Sequence, residues 1–155
     1  MTMQVSVEQV APRVLAAVRR SVRIGEVARA FGPPLDAVWT FLRARPGLRT
    51  DGHNVFLYQH PKDGRGSPME VAFGVEVTRE FEGAGEVVCT ATPSGEVATA
   101  RHRGAYDQLR ATHDAIHQWA RGNRRVIGAQ SWEIYGDWTD DPTRLEMQVC
   151  YLLMG

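Results

Sequence analysis

This chain repeats itself, and the repeat narrows its architecture more than any other property. Arg13-Val-Leu-Ala-Ala-Val-Arg-Arg20 is answered by Glu96-Val-Ala-Thr-Ala-Arg-His-Arg103. Phe56-Leu-Tyr58 is answered by Glu133-Ile-Tyr135, and Glu70-Val-Ala-Phe-Gly-Val75 by Glu146-Met-Gln-Val-Cys-Tyr151. Each set of three strand-like segments encloses one helical stretch, so the order is β-α-β-β written twice. A half of that kind has an apolar sheet face that it cannot cover alone. The expected fold is therefore α+β, with half-domains at about 1–80 and 86–155 related by a pseudo-two-fold axis in one domain spanning residues 1–155. An antiparallel sheet should carry the helices on one side, with a ligand cleft on the axis.

The local signals fill in this frame. Val5 to Val10 reads as a strand bent at Ala11-Pro12, and Val14 to Val18 continues it. Ile24, Val27, Ala28 and Phe31, then Leu35, Val38, Trp39 and Leu42, follow helical spacing on either side of Gly32-Pro33-Pro34. Strands follow at Asn54 to His60 and Met69 to Thr78, joined by a polar turn at 61–68. Val87 to Ala91 and Val97 to His102 are two more. A helix over Ala105 to Ala120 points Tyr106, Leu109, His113, Ile116 and Ala120 inward. Trp132 to Trp138 and Leu145 to Leu153 close the chain as a hairpin around Asp140-Asp-Pro-Thr143.

Composition removes several classes of function. In 155 residues, 18 basic and 18 acidic side chains cancel, which leaves no basic footprint for nucleic acid. The stretch Ile24 to Leu42 imitates a helix-turn-helix, but its second helix offers only Asp36, Trp39, Thr40 and Arg43 for contacts to DNA. The repeat also equates it with the helix of the second half. The start of the chain has neither a basic nor an apolar leader, and no run reaches the ~20 apolar residues of a bilayer span. A cytoplasmic protein is expected, with Cys89 and Cys150 reduced and buried in strands. Nucleophile elbows and phosphate loops are absent. His113 and His117 stand four apart on one helix, yet lack the glutamate and third ligand of a zinc site, so neither metal nor cofactor is expected.

Three stretches stand out together: Val97-Ala-Thr-Ala-Arg-His-Arg-Gly-Ala-Tyr-Asp-Gln-Leu109, Trp132-Glu-Ile-Tyr135 followed by Asp140-Asp-Pro142, and the closing strand Leu145 to Leu153. In this order they resemble the GyrI-like small-molecule-binding family, the fold of effector-binding domains in AraC-type and MerR-type regulators and of stand-alone gyrase-inhibitory proteins. The chain departs from the family where Gln148 stands for a frequent glutamate and Leu152 for a proline. The resemblance implies a stand-alone domain that sequesters or senses an apolar, cationic or neutral aromatic molecule. It implies no direct contact with nucleic acid or membrane, and a regulatory output only through a partner protein or a homodimer. Two alternatives follow from the same resemblance: a hydrolase that detoxifies cyclopropane-bearing DNA-alkylating natural products, and a gyrase-inhibitory protein.

The candidate site residues combine rings with one carboxylate: Trp39, Phe56, Tyr58, Tyr106, His113, Trp132, Glu133, Tyr135 and Gln148. Aromatic rings hold flat apolar ligands, and each well-placed ring adds about 0.5–2 kcal/mol for a cation. Glu133 is the most informative charge, set in a strand between Trp132 and Ile134 and in step with Tyr135. On an aromatic face it neutralises a cation or, in a hydrolase, acts with Tyr135 as the catalytic pair.

Overall fold

A single eight-stranded antiparallel sheet runs through the computed structural model in the order β1-β6-β8-β7-β3-β4-β2-β5. The strands are β1 (Ser6–Val10), β2 (Val14–Val22), β3 (Arg49–Gln59), β4 (Met69–Val77), β5 (Val88–Ala91), β6 (Gly95–Arg103), β7 (Val126–Tyr135) and β8 (Glu146–Met154). Three helices accompany them: α1 (Val27–Ala30), α2 (Gly32–Arg43) and α3 (Leu109–Gly122). The structure describes residues 4–23, 25–61, 68–136 and 140–154; Ile24, the turn residues 62–67 and Trp138 named above lie outside the described residues.

Exchanging β1–β4 for β5–β8 turns the strand order into its own reverse, as a duplicated arrangement requires. The central seam pairs β3 with β7, and Phe56 lies directly opposite Glu133. Two features go beyond the sequence pattern. Strand β1 pairs with β6 of the second half and β5 with β2 of the first, so each half lends its leading strand to the other. Pairing also equates Ala16 with Ala98 rather than with Thr99, because Ala16 lies opposite Val75 and Ala98 opposite Tyr151. The sequence alignment of these two strands was thus displaced by one residue, which exchanges the two faces of a strand.

Both long helices lie on one face of the sheet. Pro33 and Pro34 sit in the first turn of α2, where no intrahelical N–H is needed. Leu35, Val38, Phe41 and Leu42 then recur at helical spacing and pack on Val18, Val71, Phe73 and Val75. The helix-turn-helix imitation is therefore two helices, of which α2 docks against β2 and β4 while α1 packs on α2. On α3, Ile116 and Ala120 are buried, Ile116 against Ala98, Ala100 and Val149. The opposite face carries Leu15, Ala17, Val55, Ala72, Val97, Trp132 and Cys150 in one apolar cluster to which no helix residue among the described residues belongs. Cys89 and Cys150 are both free thiols. Among the described residues, no helix is long and apolar enough to cross a membrane.

Element boundaries differ from the sequence reading where the ladder is irregular. β7 begins at Val126, six residues before Trp132, with its register shifted between Ile127 and Ser131. β3 likewise begins at Arg49, with a shift before Asn54. Such shifts break the alternation by which a strand is read. The helix expected from Ala105 starts as a 3-10 turn over Tyr106–Gln108 and becomes α-helical at Leu109.

Candidate functional site

Between α1, the start of α2 and α3, above the β3-β7-β8 seam, lies a cavity of about 790 Å³. Its floor follows from strand parity. Phe56, Tyr58 and His60 alternate along β3, Tyr135, Glu133 and Ser131 run beside them on β7, and Tyr151 adds β8. The 3-10 turn before α3 and the helix itself supply one wall, with Tyr106 on the turn and His113 and His117 on the helix. Their rungs match the floor: Tyr106 stands edge-on to Tyr135 at 5.4 Å, His113 reaches Glu133, and His117 meets the ring of Tyr151 at 4.9 Å. The turn into α3 is fixed by Gly104 at φ +122°, a conformation that favours glycine, and by His102. The buried His102 ring contacts Thr112 Oγ1 and the Ala105 carbonyl through its two nitrogens. The facing wall is apolar, from Val27, Ala28, Phe31 and Leu35.

Glu133 is the centre of the site and is only 4% exposed. Its Oε1 accepts hydrogen bonds from the hydroxyls of Tyr58 at 2.5 Å and Tyr135 at 2.9 Å. Its Oε2 lies 2.7 Å from His113 Nε2, and His113 Nδ1 lies 2.7 Å from the Tyr151 hydroxyl. A buried carboxylate is tolerated only when its lone pairs are met in this way. The phenols are correspondingly hard to ionise. Burial, followed by the Glu133 charge, pushes Tyr58, Tyr135 and Tyr151 well above the usual tyrosine range. They therefore act as hydrogen-bond donors and not as anions. Burial likewise lowers the pKa of His60 and of His117, with the His113 imidazole adding to the effect. The cavity thus presents one deeply buried carboxylate, Glu133, among tyrosine hydroxyls and imidazoles.

Aromatic packing surrounds one end of this floor. Phe31 lies 6.0 Å from Phe56, and Phe56 lies 4.9 Å from Tyr135. Among the described residues no cluster of histidine, cysteine and carboxylate groups is arranged to hold a metal ion.

A family model described as the GyrI-like small molecule binding domain matches residues 3–152. The chain belongs to the GyrI-like family. Four solved structures, of three proteins, show the same fold. The C-terminal domain of EcmrR aligns over 99% of both chains with a TM-score of 0.81 and 22% identity. Within EcmrR bound to DNA, the same alignment spans 58% of that chain. SAV2435, solved bound to tetraphenylphosphonium, aligns over 99% of this chain and 95% of its own, with a TM-score of 0.68 and 12% identity. A hydrolase from Listeria innocua aligns over 99% and 93%, with a TM-score of 0.63 and 11% identity. No curated protein matches the chain.

On this GyrI-like scaffold the cavity gathers six of the residues singled out in the sequence: Phe56, Tyr58, Tyr106, His113, Glu133 and Tyr135. Three others stand elsewhere. Trp132 is 2% exposed in the apolar cluster of the opposite face, because adjacent residues of a strand point to opposite sides. Gln148 shares that far side and donates from Nε2 to Thr99 Oγ1 at 2.9 Å. Trp39 packs on the α2 side of the core. Ser131, His60, Tyr151 and His117 also line the cavity, although they are not among the site residues that the sequence singles out. Parity carries the first three: Ser131 is two residues from Glu133, and His60 is two from Tyr58. Tyr151 lies across from Ser131.

Proposed function

We propose that this small-molecule binding domain holds lipophilic aromatic cations, with the rings among Phe31, Phe56, Tyr106 and Tyr135 and the charge near Glu133. The buried carboxylate carries this reading. It costs free energy to bury, its hydrogen bonds hold it in place, and it faces a cavity with no other fixed charge so deep. A cation entering beside it exchanges water for a carboxylate and ring faces, and the rings add about 0.5–2 kcal/mol each. A neutral ligand of the same shape gains only the apolar burial. SAV2435, whose structure contains tetraphenylphosphonium, supports this ligand class.

The test is calorimetric titration of tetraphenylphosphonium against the neutral triphenylphosphine oxide. Glu133→Gln retains shape while deleting the charge. It should weaken phosphonium binding roughly five- to thirty-fold, from about 1–2 kcal/mol of screened attraction, and leave the oxide unchanged. Equal losses for both ligands, or no loss for either, would remove the charge from the explanation.

A second reading rests on the continuous run Glu133 to His113 to Tyr151, which can hold and relay a proton beside a bound ester or strained ring, and on the Listeria innocua hydrolase neighbour. In that case Glu133→Gln keeps the affinity for the substrate and abolishes turnover. A cyclopropane-bearing alkylating compound, followed by mass spectrometry for addition of water, is the direct assay.

A further inference from the structure

The cavity changes chemistry along its length. At one end are the carbocyclic rings of Phe31, Phe56, Tyr106 and Tyr135. Glu133 stands in the middle. At the other end the Tyr151 ring is surrounded by three imidazoles, with centroids at 5.6 Å for His113, 6.1 Å for His60 and 4.9 Å for His117. This end is polar without being strongly charged. His113 has both nitrogens engaged, but His60 contacts Ser131 Oγ through Nε2 alone, at 2.7 Å. Its Nδ1 and both nitrogens of His117 have no hydrogen-bond partner among the described residues. A ligand confined to the ring end and Glu133 would leave this half of a 790 Å³ cavity unused, in a range of about 300–1,000 Å³ that suits whole drug-sized molecules.

We infer that the His60, Ser131, Tyr151 and His117 end is a second subsite, which takes an uncharged oxygen-bearing arm of the ligand such as an ester, amide or ketone carbonyl. This rests on the cation reading above and adds the ligand's other end to it. An uncharged arm fits better than an anionic one. Glu133 and Asp114 bring two negative charges to this region and Arg110 one positive charge, while desolvation lowers the pKa of His60 and, at its partly covered helix position, of His117, which favours the uncharged rings. A neutral imidazole offers one N–H donor, which matches a carbonyl oxygen and gives a carboxylate no compensating charge. The favoured ligand is therefore amphiphilic, with a delocalised aromatic cation at one end and a carbonyl-bearing branch at the other.

Two dyes separate the subsites. Tetramethylrosamine and the methyl ester of tetramethylrhodamine share the same cationic ring system and phenyl branch, and differ only in the ester. Fluorescence anisotropy should give the ester about tenfold tighter binding to the wild-type protein, the worth of one well-formed hydrogen bond of about 1.4 kcal/mol. His60→Phe and His117→Phe should together erase the tenfold ester advantage, read as the ratio of the two dyes' affinities, which a general change in cavity packing would leave in place. An unaltered near-ultraviolet circular dichroism spectrum reports that the variant is folded. Equal affinities of the two dyes in the wild-type protein, or an ester advantage that survives both substitutions, would overturn the subsite. Failure of rosamine itself to bind, or rosamine binding indifferent to Glu133→Gln, would instead strike the cation reading.

Discussion

Replacing Glu133 in two different ways should separate the worth of its hydrogen bonds from the worth of its charge. Glu133→Leu removes the acceptor for three donors at once: the hydroxyls of Tyr58 and Tyr135 and the Nε2 of His113. Tyr58 is 6% exposed and would pay the full penalty of a buried unpaired hydroxyl. The His113 side chain is 21% exposed, and Tyr135 also borders the cavity, so both recover part of their loss from water. At about 1–3 kcal/mol for each orphaned group, discounted for the two wetter ones, the loss comes to about 3–5 kcal/mol. Glu133→Gln behaves differently. Its carbonyl keeps both tyrosine bonds, and its NH₂ donates to His113 Nε2 once that ring shifts its proton to Nδ1 and donates to Tyr151. The Tyr151 hydroxyl, now an acceptor from His113, turns its own proton to Ser131, so the partners are met while a buried charge disappears and stability should change by less than about 1 kcal/mol. Urea unfolding of the wild-type protein and both variants, followed by tryptophan fluorescence, gives the comparison at unchanged m. If the Gln variant is as unstable as the Leu variant, the hydrogen-bond accounting is wrong and the charge itself holds the site together.

Three further outcomes follow from other parts of the structure. Because the folded state holds His60 below its unfolded pKa of about 6.5, the unfolded chain takes up the proton first. Its contribution is therefore complete above about pH 6.5 and is lost as pH falls through the lowered value; His60→Phe should flatten the dependence of the urea midpoint between pH 7 and 5, and an identical slope would count against this. Cys150 is 1% exposed and its thiol is pushed up by burial, so in native protein an aromatic disulfide reagent should titrate Cys89 alone, and both cysteines in denaturant; rapid native reaction of two thiols would contradict the packing. A Cβ at Gly74 would lie 3.0 Å from the Ala16 carbonyl oxygen and 3.1 Å from the Ala17 Cβ, so Gly74→Ala should cost about 1–3 kcal/mol by overpacking, visible as a lower Tm, and an unchanged Tm would show that β2 and β4 can separate.

Much of this architecture is legible in the residues, because repetition and period-two alternation are both local signals. Phe56-Leu-Tyr58 and Glu133-Ile-Tyr135 are similar enough to be matched by eye, and they meet across the seam. Alternation also separates Glu133 and Tyr135 from Trp132 and Ile134. Applied strictly, it excludes Trp132 from any face that Glu133 shares, and Gln148 from the face of Tyr151. Their inclusion as candidates followed residue type and family likeness, which say nothing of side. The first strands of the two repeats are harder. Ala16, Ala17, Ala98 and Ala100 have little character, so a displacement by one residue goes unnoticed until pairing fixes it. Val126 to Gln130 stays hidden for another reason, since Gly128 and a register shift interrupt its pattern. Helix α1 has no buried residue, so its role as a cavity wall through Val27 and Ala28 depends on tertiary placement that spacing alone does not encode.

The exchange of leading strands has a consequence for how the molecule comes into being. Strand β1 is made first, yet its partner is β6, and Ser6 meets Thr99 only after the whole first half has left the ribosome. During that interval β1 is an open edge that could capture any passing strand. Its sequence is guarded for the wait, with Glu8 on the strand and Pro12 just beyond it, both poor material for adventitious pairing. The first half in turn lacks the β5 cover of β2 until Val88–Ala91 is made. Neither half has all of its strand neighbours before the other is made. Synthesis should therefore end in one late closure of the whole sheet, and a nascent chain halted before β6 should be a client of chaperones rather than a folded fragment.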